Sequence, residues 1–151
     1  MSGDTATLVI INDRLDVAMA SGAHGVHLGA DDLPLAVARK ISPRGFIIGA
    51  SVDTPDQARE AEGLGADYLG AGPVFPTETK TTSNPVIGPA GLEAIVKAVS
   101  IPVVGIGGIG PENLQEVTAT GAAGAAVASA VVLSPDPEAV VRALRSSAGG
   151  G

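Results

Sequence analysis

The sequence predicts an α/β protein built on a buried parallel sheet. Six short apolar segments recur along the chain, and each is followed by a helical pattern or a helix start signal. The segments do not alternate apolar with polar residues, which is typical of strands that are buried on both faces. They are Leu8–Asn12, Gly25–Gly29, Phe46–Ser51, Tyr68–Pro73, Pro102–Gly107 and Gly124–Ser129. Strands that alternate with helices pair in parallel through right-handed crossovers.

The stretches between these segments carry the start and stop signals of helices. A cap candidate or a turn with an early proline opens three of them, at Asp53-Thr54-Pro55, Gly110-Pro111-Glu112 and Pro135-Asp136-Pro137-Glu138. A glycine is predicted to end three helices, at Gly22, Gly65 and Gly121, and an alanine follows it each time. Because the same Gly-Ala junction is reused, one βα unit is repeated along the chain.

Two architectures fit such a repeat: an open doubly wound sheet, or part of a (β/α)8 barrel. The glycine fingerprint of dinucleotide-binding sheets is absent. Polar residues or glycines instead follow every strand, at Asn12-Asp13, Gly29 to Asp32, Ser51, Gly72 to Lys80, Gly107-Gly108 and Ser129. This favours a TIM-type barrel, in which such residues face one opening. We predict about six βα units in one domain over residues 1–145, followed by a disordered tail at residues 146–151.

The composition excludes several classes of protein. With 45% apolar and 2% aromatic residues, the core must consist of Val, Ile, Leu and Ala. The net charge is −7, and the nine Lys and Arg form no basic stripe, so we expect no nucleic-acid partner. Cysteine is absent, which rules out disulfides and thiolate metal sites. We expect no signal peptide and no membrane span, and therefore a cytoplasmic location.

Glycines after the fifth strand and a hydroxyl after the sixth predict a phosphate site. Gly107-Gly108 precede a helix, and glycine lets backbone N–H groups approach a phosphate there. Ser129 ends the neighbouring strand. The alternative is that the glycines only form tight turns. A phosphate site after the last two strands is common in barrels, and this favours binding.

Carboxylates at two neighbouring strand ends could hold a hard cation. Asp13 follows the first strand and Asp32 the second, and Mg²⁺ favours one or two carboxylates together with substrate oxygens. Both residues could instead cap the helices that follow them. Asp31 is a competing ligand, and the spacing does not choose between Asp31 and Asp32.

The loop Gly72–Lys80 (GPVFPTETK) carries Thr77, Thr79 and Lys80. Two hydroxyls and an ammonium on one loop suit a phosphate or a departing diphosphate, although a solvated polar loop is the alternative.

His24 and His27 lie three positions apart, which puts them on opposite faces of a strand and argues against a metal pair. We interpret His27 as a packed, hydrogen-bonded core residue rather than a general base.

Several motifs together resemble the thiamine-phosphate synthase (thiamine-phosphate pyrophosphorylase) family, over about residues 8–145. They are LVIINDRLDVAMASGAHGVHLGADDLP, IIGAS, GADYLGAGPVFPTETK, IPVVGIGGIGPENLQEV and GAAGAAVASAVV. GPVFPTETK is specific to that family rather than to barrels in general. Members of this family fold as a TIM barrel. They join hydroxymethylpyrimidine diphosphate to thiazole phosphate and release diphosphate.

The resemblance implies a role for each matching residue. Asn12 and Ser51 would contact the pyrimidine substrate, and Asp13 and Asp32 would hold Mg²⁺. The thiazole phosphate would be bound by Thr77, Thr79, Gly108, Ala128 and Ser129, and the diphosphate by Lys80. Lys80 and Ser51 are the expected catalytic residues. The bound Mg²⁺ and Lys80 would stabilise the departing diphosphate while a pyrimidine cation forms and the thiazole nitrogen attacks, so no protein nucleophile or base is needed.

The resemblance also implies a departure from the family. The strands present correspond to strands 3–8, and the first two βα units, with a Gln-x-Arg-x-Lys motif that binds the diphosphate, have no counterpart. We therefore expect an N-terminally truncated barrel with very low synthase activity. Its open edges at Leu8–Asn12 and Gly124–Ser129 predict a homo-oligomer or other edge-mediated association. The alternatives are a thiazole tautomerase-like isomerase with His27 as base, and a non-catalytic partial barrel.

Overall fold

A computed structural model describes residues 7–77 and 85–147 of the chain. One parallel sheet of six strands runs in the order β1-β2-β3-β4-β5-β6. The strands are β1 (Ile10–Asn12), β2 (Gly25–Leu28), β3 (Ile47–Val52), β4 (Tyr68–Ala71), β5 (Val103–Ile106) and β6 (Gly124–Ala126). The predicted α/β class and all six strand positions are confirmed, and the sheet has the form of a parallel half-barrel. The last strand ends three residues before Ser129, because Ser129 already begins a helix.

Helices follow the strands in sequence. They are α1 (Leu15–Ala20), α2 (Leu35–Ile41), α3 (Pro55–Gly63), α4 (Gly88–Ala98), α5 (Leu114–Ala119), α6 (Ser129–Val132) and α7 (Pro137–Ser147). Thr54 caps α3 by accepting a hydrogen bond from the N–H of Gln57, and Pro55 is its first residue. The three predicted stop glycines, Gly22, Gly65 and Gly121, all have positive φ, at 69°, 92° and 84°. None of the helices within the described ranges is long and apolar enough to cross a membrane.

Two helix boundaries also differ from the prediction. α5 begins at Leu114 rather than directly after Pro111. The side chain of Asn113 accepts a hydrogen bond from Gly110 N and donates one to Gly108 O, which holds the residues before α5 in a turn. At the other end, α7 includes Ser146 and Ser147, two residues of the predicted tail. The rest of that tail, residues 148–151, lies outside the described residues.

The two faces of the sheet have different surroundings. Successive residues of a strand point to opposite faces, and one set packs against helices α1 to α5 in two hydrophobic clusters, both of which contact Leu35. Ile48 and Leu69 in this set are fully buried. The other face carries Asn12, His27 and Ser51, of which Asn12 and Ser51 are exposed and His27 is half-buried. The sheet therefore presents a polar face opposite its helices.

Arg39 on α2 ties the N-terminal ends of β3 and β4 together. Its guanidinium donates to Phe46 O at 2.9 Å, to Gly65 O at 2.7 Å and to the carboxylate of Asp67 at 2.5 Å. The same Asp67 oxygen accepts a hydrogen bond from Ile48 N at 2.7 Å. This network lies at the edge of the sheet opposite the strand ends that carry the predicted site, where a structural role is expected.

We expect Arg39→Ala to lower the free energy of unfolding by about 2 kcal/mol, because several charge-assisted hydrogen bonds to half-buried groups are lost together. Arg39→Lys should recover less than half of this loss, since an ammonium cannot reproduce the planar fork. Urea denaturation of the three proteins measures the effect. Equal midpoints for wild type and Arg39→Ala would contradict the assigned role.

Candidate functional site

An open pocket of about 650 Å³ lies beyond the C-terminal ends of β4, β5 and β6. It is lined by Pro76, Thr77, Gly108, Ala128, Ser129, Val132 and Leu133. Four of the residues that the sequence predicts for the thiazole phosphate site, Thr77, Gly108, Ala128 and Ser129, therefore surround one cavity. They come from three separate loops, and the parallel order of the strands brings these loops to the same edge of the sheet.

Backbone hydrogen bonds join the loop after β4, which contains Pro76 and Thr77, to the loop after β5, which contains Gly108. Val74 N donates to Ile106 O at 2.9 Å, and Phe75 N donates to Gly107 O at 3.0 Å. Gly108 has a φ of 64°, and a Cβ atom there would lie 2.5 Å from the backbone oxygen of Pro76. The sequence predicts Gly108 for close approach of a ligand. In the structure its missing side chain also makes room for the neighbouring loop.

Asp13 and Asp32 follow adjacent strands, β1 and β2, which pair in the register Asn12 to His27. Asp13 is exposed and adopts a φ of 65°, and its N–H donates to His27 O at 2.8 Å. One carboxylate oxygen of Asp32 accepts a hydrogen bond from Gly29 N at 2.6 Å. The second oxygen of Asp32 has no hydrogen bond within the described part of the chain, so it remains able to bind a cation.

Neither aspartate caps the helix that follows it. The N-cap positions of α1 and α2 are Arg14 and Pro34, and no side chain makes a cap hydrogen bond at either helix. The capping alternative for Asp13 and Asp32 is therefore wrong. Residues 7–77 and 85–147 contain no group of three or more His, Cys, Asp or Glu that could hold a metal ion. Two carboxylates suit only a cation that takes its remaining ligands from water or from a bound substrate.

His27 bridges two hydroxyl groups on the polar face of the sheet. Its Nδ1 lies 2.9 Å from Tyr68 Oη, and its Nε2 lies 3.0 Å from Ser51 Oγ. The predicted hydrogen bonding is thus present, but His27 is half-buried on the open face and does not belong to the core. The reason is the alternation of β2, in which Val26 and Leu28 enter the core and His27 points the other way. His24 lies before β2, where its Nδ1 accepts a hydrogen bond from Val9 N.

The rings of His27 and Tyr68 occupy space left by two strand glycines. A Cβ atom on Gly49 would lie 2.2 Å from Tyr68 Cζ and 2.5 Å from His27 Nδ1, and one on Gly70 would lie 2.9 Å from His27 Cε1. Burial raises the pKa of the Tyr68 hydroxyl above its ordinary value. Sequence reasoning missed Tyr68, although Gly49 and Gly70, as glycines inside strands, are a signal of close approach.

Of the remaining predicted site residues, the structure describes some and not others. Asn12 ends β1 with an exposed side chain, on the same face of the sheet as His27. Thr79 and Lys80 lie outside the described residues, so their predicted roles stay predictions. Asn113, which holds the Gly108 carbonyl, was also missed by sequence reasoning, since its position before α5 gave only a helix-start signal.

Comparison with known proteins identifies the family. Residues 3–131 match the family model described as thiamine monophosphate synthase. The chain is 55% identical over 133 residues to the thiamine-phosphate synthase of Methanospirillum hungatei, covering 88% of this chain and 65% of that protein. It is 53% identical over 140 residues to the thiamine-phosphate synthase of Haloquadratum walsbyi, covering 91% and 63% of the two chains.

A solved structure agrees with these relatives. The thiamine phosphate pyrophosphorylase from Pyrococcus furiosus superposes with a TM-score of 0.86 at 49% identity, over 95% of this chain and 68% of that one. The chain spans about two thirds of the length of the curated relatives named above. With a family model that matches most of its residues and a fold that superposes closely, this chain belongs to the thiamine monophosphate synthase family.

Proposed function

We propose that this chain binds a thiazole phosphate and a pyrimidine diphosphate. Its residues take part in the reaction that joins the two substrates and releases diphosphate. The reaction is the transfer of a pyrimidinylmethyl group to the thiazole nitrogen. The observation that carries the proposal is the pocket at the ends of β4, β5 and β6, in which Thr77, Gly108, Ala128 and Ser129 meet. The names of the two thiamine-phosphate synthases described above support the same reaction.

In this proposal the pocket binds the thiazole phosphate. The hydroxyl of Ser129 and the backbone around Gly108 supply the hydrogen-bond donors that phosphate oxygens require. The side chains of Val132 and Leu133 form an apolar wall and are 76% and 80% exposed, which leaves them available to contact a heteroaromatic ring. A pocket lined by both hydroxyl-bearing and apolar side chains suits a phosphorylated aromatic ligand better than inorganic phosphate.

The pyrimidine diphosphate would lie on the polar face of the sheet, next to Asn12 and Ser51. Asp13 and Asp32 would hold Mg²⁺, and their positions at adjacent strand ends support this role. When bound, Mg²⁺ supplies positive charge that offsets the charge of a diphosphate. Lys80 would act on the same leaving group. Asn12 and Ser51 orient the pyrimidine so that its exocyclic carbon faces the thiazole nitrogen, and no side chain has to exchange a proton.

Three broader predictions accompany this function. The six-stranded sheet would form part of a (β/α)8 barrel, and its edge strands β1 and β6 would pair with another chain or a second copy. A cytoplasmic location and the absence of nucleic-acid and membrane partners stay predictions. Very low synthase activity of the chain alone also stays a prediction, which measurement of thiamine phosphate formed by the purified protein tests.

Calorimetric titration with thiazole phosphate tests the proposed pocket. We expect the purified chain to bind thiazole phosphate at least tenfold more tightly than inorganic phosphate, since the apolar wall adds contacts to the ring. Ser129→Ala should weaken binding about tenfold through loss of one hydrogen bond to a charged group. Ser146→Ala, on the exposed side of α7, is the matched control and should bind as wild type does. Equal affinity for the two ligands would contradict the assignment.

A further inference from the structure

A three-residue chain of hydrogen bonds crosses the polar face of the sheet and joins Tyr68 on β4, His27 on β2 and Ser51 on β3. Tyr68 and Ser51 sit at opposite nitrogens of one imidazole. Gly49 and Gly70 provide the space for the rings, because any side chain at these positions would collide with them. Glycine inside a strand is unfavourable unless close approach requires it. The two glycines are therefore required by the positions of the His27 and Tyr68 rings.

The hydrogen-bond roles along this chain follow from Tyr68. Within the described residues, its hydroxyl makes a hydrogen bond to His27 Nδ1 and to no other group. A half-buried hydroxyl proton is costly to leave without an acceptor. A neutral imidazole accepts at one nitrogen and donates at the other. If Tyr68 donates to Nδ1, the proton of His27 must lie on Nε2, and this N–H then donates to Ser51 Oγ.

The Tyr68 hydroxyl keeps its proton at neutral pH, because burial raises its pKa above an ordinary value that is already far above neutrality. The opposite direction would make Ser51 a donor to Nε2 and would leave the Tyr68 proton without an acceptor among the described residues. It would also turn the exposed side of Ser51 into an acceptor.

We propose that Tyr68 and His27 are positioning residues that fix Ser51 as a hydrogen-bond donor toward the bound substrate, so that the site selects a ring that presents an unprotonated nitrogen. Because Nε2–H occupies a lone pair of Ser51 Oγ, the hydroxyl proton of Ser51 points away from His27 and into the open face. The partner that fits this proton is an acceptor such as an aromatic ring nitrogen, whereas a ring N–H would have to use the one remaining lone pair of Oγ. The ligand part of this inference rests on the proposed function, whereas the direction of the hydrogen bonds does not.

The tautomer of His27 tests the hydrogen-bond direction without any ligand. The chain has two histidines. Nitrogen NMR of the chain labelled with ¹⁵N-histidine at about pH 8, where an ordinary imidazole is neutral, distinguishes the two tautomers. We expect the Nε2–H form for His27 in wild type and a loss of this preference in Tyr68→Phe. His24, whose Nδ1 accepts from Val9 N, is the internal control and should not change. The Nδ1–H form of His27 in wild type would overturn the proposal.

A double-mutant cycle tests the consequence for binding. The probe is hydroxymethylpyrimidine diphosphate with Mg²⁺, followed by calorimetry. We expect Ser51→Ala and Tyr68→Phe each to weaken binding about tenfold, which is the effect of one hydrogen bond. In the Ser51→Ala background, Tyr68→Phe should have no further effect. A purely structural role of Tyr68 predicts the same loss in both backgrounds, and that result would overturn the positioning role.

The two measurements separate the possible failures. If wild type shows the Nε2–H tautomer but does not bind the pyrimidine diphosphate, the proposed function fails and the donor role of Ser51 toward that ring fails with it, while the hydrogen-bond direction is supported. If binding is normal but the tautomer is Nδ1–H, the proposed function is supported and the positioning role is overturned.

Discussion

Replacement of Gly108 by alanine is expected to lower the free energy of unfolding by about 3 kcal/mol and to abolish measurable binding of thiazole phosphate. Two effects add. At a φ of 64°, a Cβ atom is strained by roughly 1–2 kcal/mol. The same atom would lie 2.5 Å from Pro76 O and 2.8 Å from Phe75 Cβ, and overpacking of this kind adds about 1–3 kcal/mol.

The collision involves backbone, so a side-chain rotation cannot relieve it. The loop after β4 is held to the loop after β5 by the hydrogen bond from Phe75 N to Gly107 O. To admit the methyl group, this loop must move away from Gly108. Thr77 follows Pro76 in the same loop and lines the proposed phosphate pocket, so the displacement enlarges and distorts the site.

Gly63 offers a matched control for this substitution. It is the last residue of α3, and a Cβ atom there would meet nothing within 4 Å. Gly63→Ala should therefore leave stability unchanged or raise it slightly, since alanine favours the helix. Urea denaturation gives the stabilities, and calorimetry below the unfolding transition gives the affinities. Wild-type affinity in a folded Gly108→Ala protein would argue against a phosphate site at this loop.

The strands were predictable because short apolar segments recur between helix start and stop signals, although helices cover only one face of the sheet. The segment Gly25–Leu28 is apolar except for His27, and the glycines that end helices mark where the chain turns back. The exact helix starts were not predictable in the same way. α5 starts late because Asn113 bonds to Gly108 and Gly110, and which atoms a side chain reaches depends on the three-dimensional path of the loop.

The candidate site was likewise predictable from the sequence only in part. The order of strands and loops alone predicts a phosphate site at Gly108 and Ser129, whereas Ala128 is implied only by the family resemblance. The connection of His27 to Tyr68 joins residues 41 positions apart, and it depends on the register of three strands. No local pattern contains that register. Glycines at positions 49 and 70 indicated a close approach, but not which ring would fill the space.

Asp32→Asn is expected to weaken Mg²⁺-dependent binding of the pyrimidine diphosphate by about 10- to 100-fold, at least as much as a metal site loses when a residue that supports one of its ligands is removed. The substitution leaves the fold intact, because an asparagine oxygen can still accept the hydrogen bond from Gly29 N. What changes is the charge. An amide oxygen binds a hard cation less strongly than a carboxylate, so the loss should appear only when Mg²⁺ is present.

Asp13→Asn should behave in the same way for the same reason. Asp13 has a φ of 65°, and asparagine is among the few residues that adopt this conformation readily, so the backbone is not strained by the change. Both substitutions therefore remove a charge at the ends of β1 and β2 and little else. If the two aspartates share one cation, the double variant should lose less than the product of the two single effects.

The neighbouring Asp31→Asn is the control that identifies the ligand. Asp31 is exposed and carries the same charge one position away, so any general effect of lowering the negative charge of this region appears in all three variants. Specific coordination predicts wild-type affinity for Asp31→Asn and a large loss for Asp32→Asn. Titrations with Mg²⁺ and with EDTA give the metal-dependent part directly. Gly29 N holds one carboxylate oxygen of Asp32, and the other oxygen has no hydrogen bond to the described residues and can bind a cation. Equal losses of affinity at positions 31 and 32 would show that the region attracts cations only through its overall charge. The magnesium site would then have to lie elsewhere.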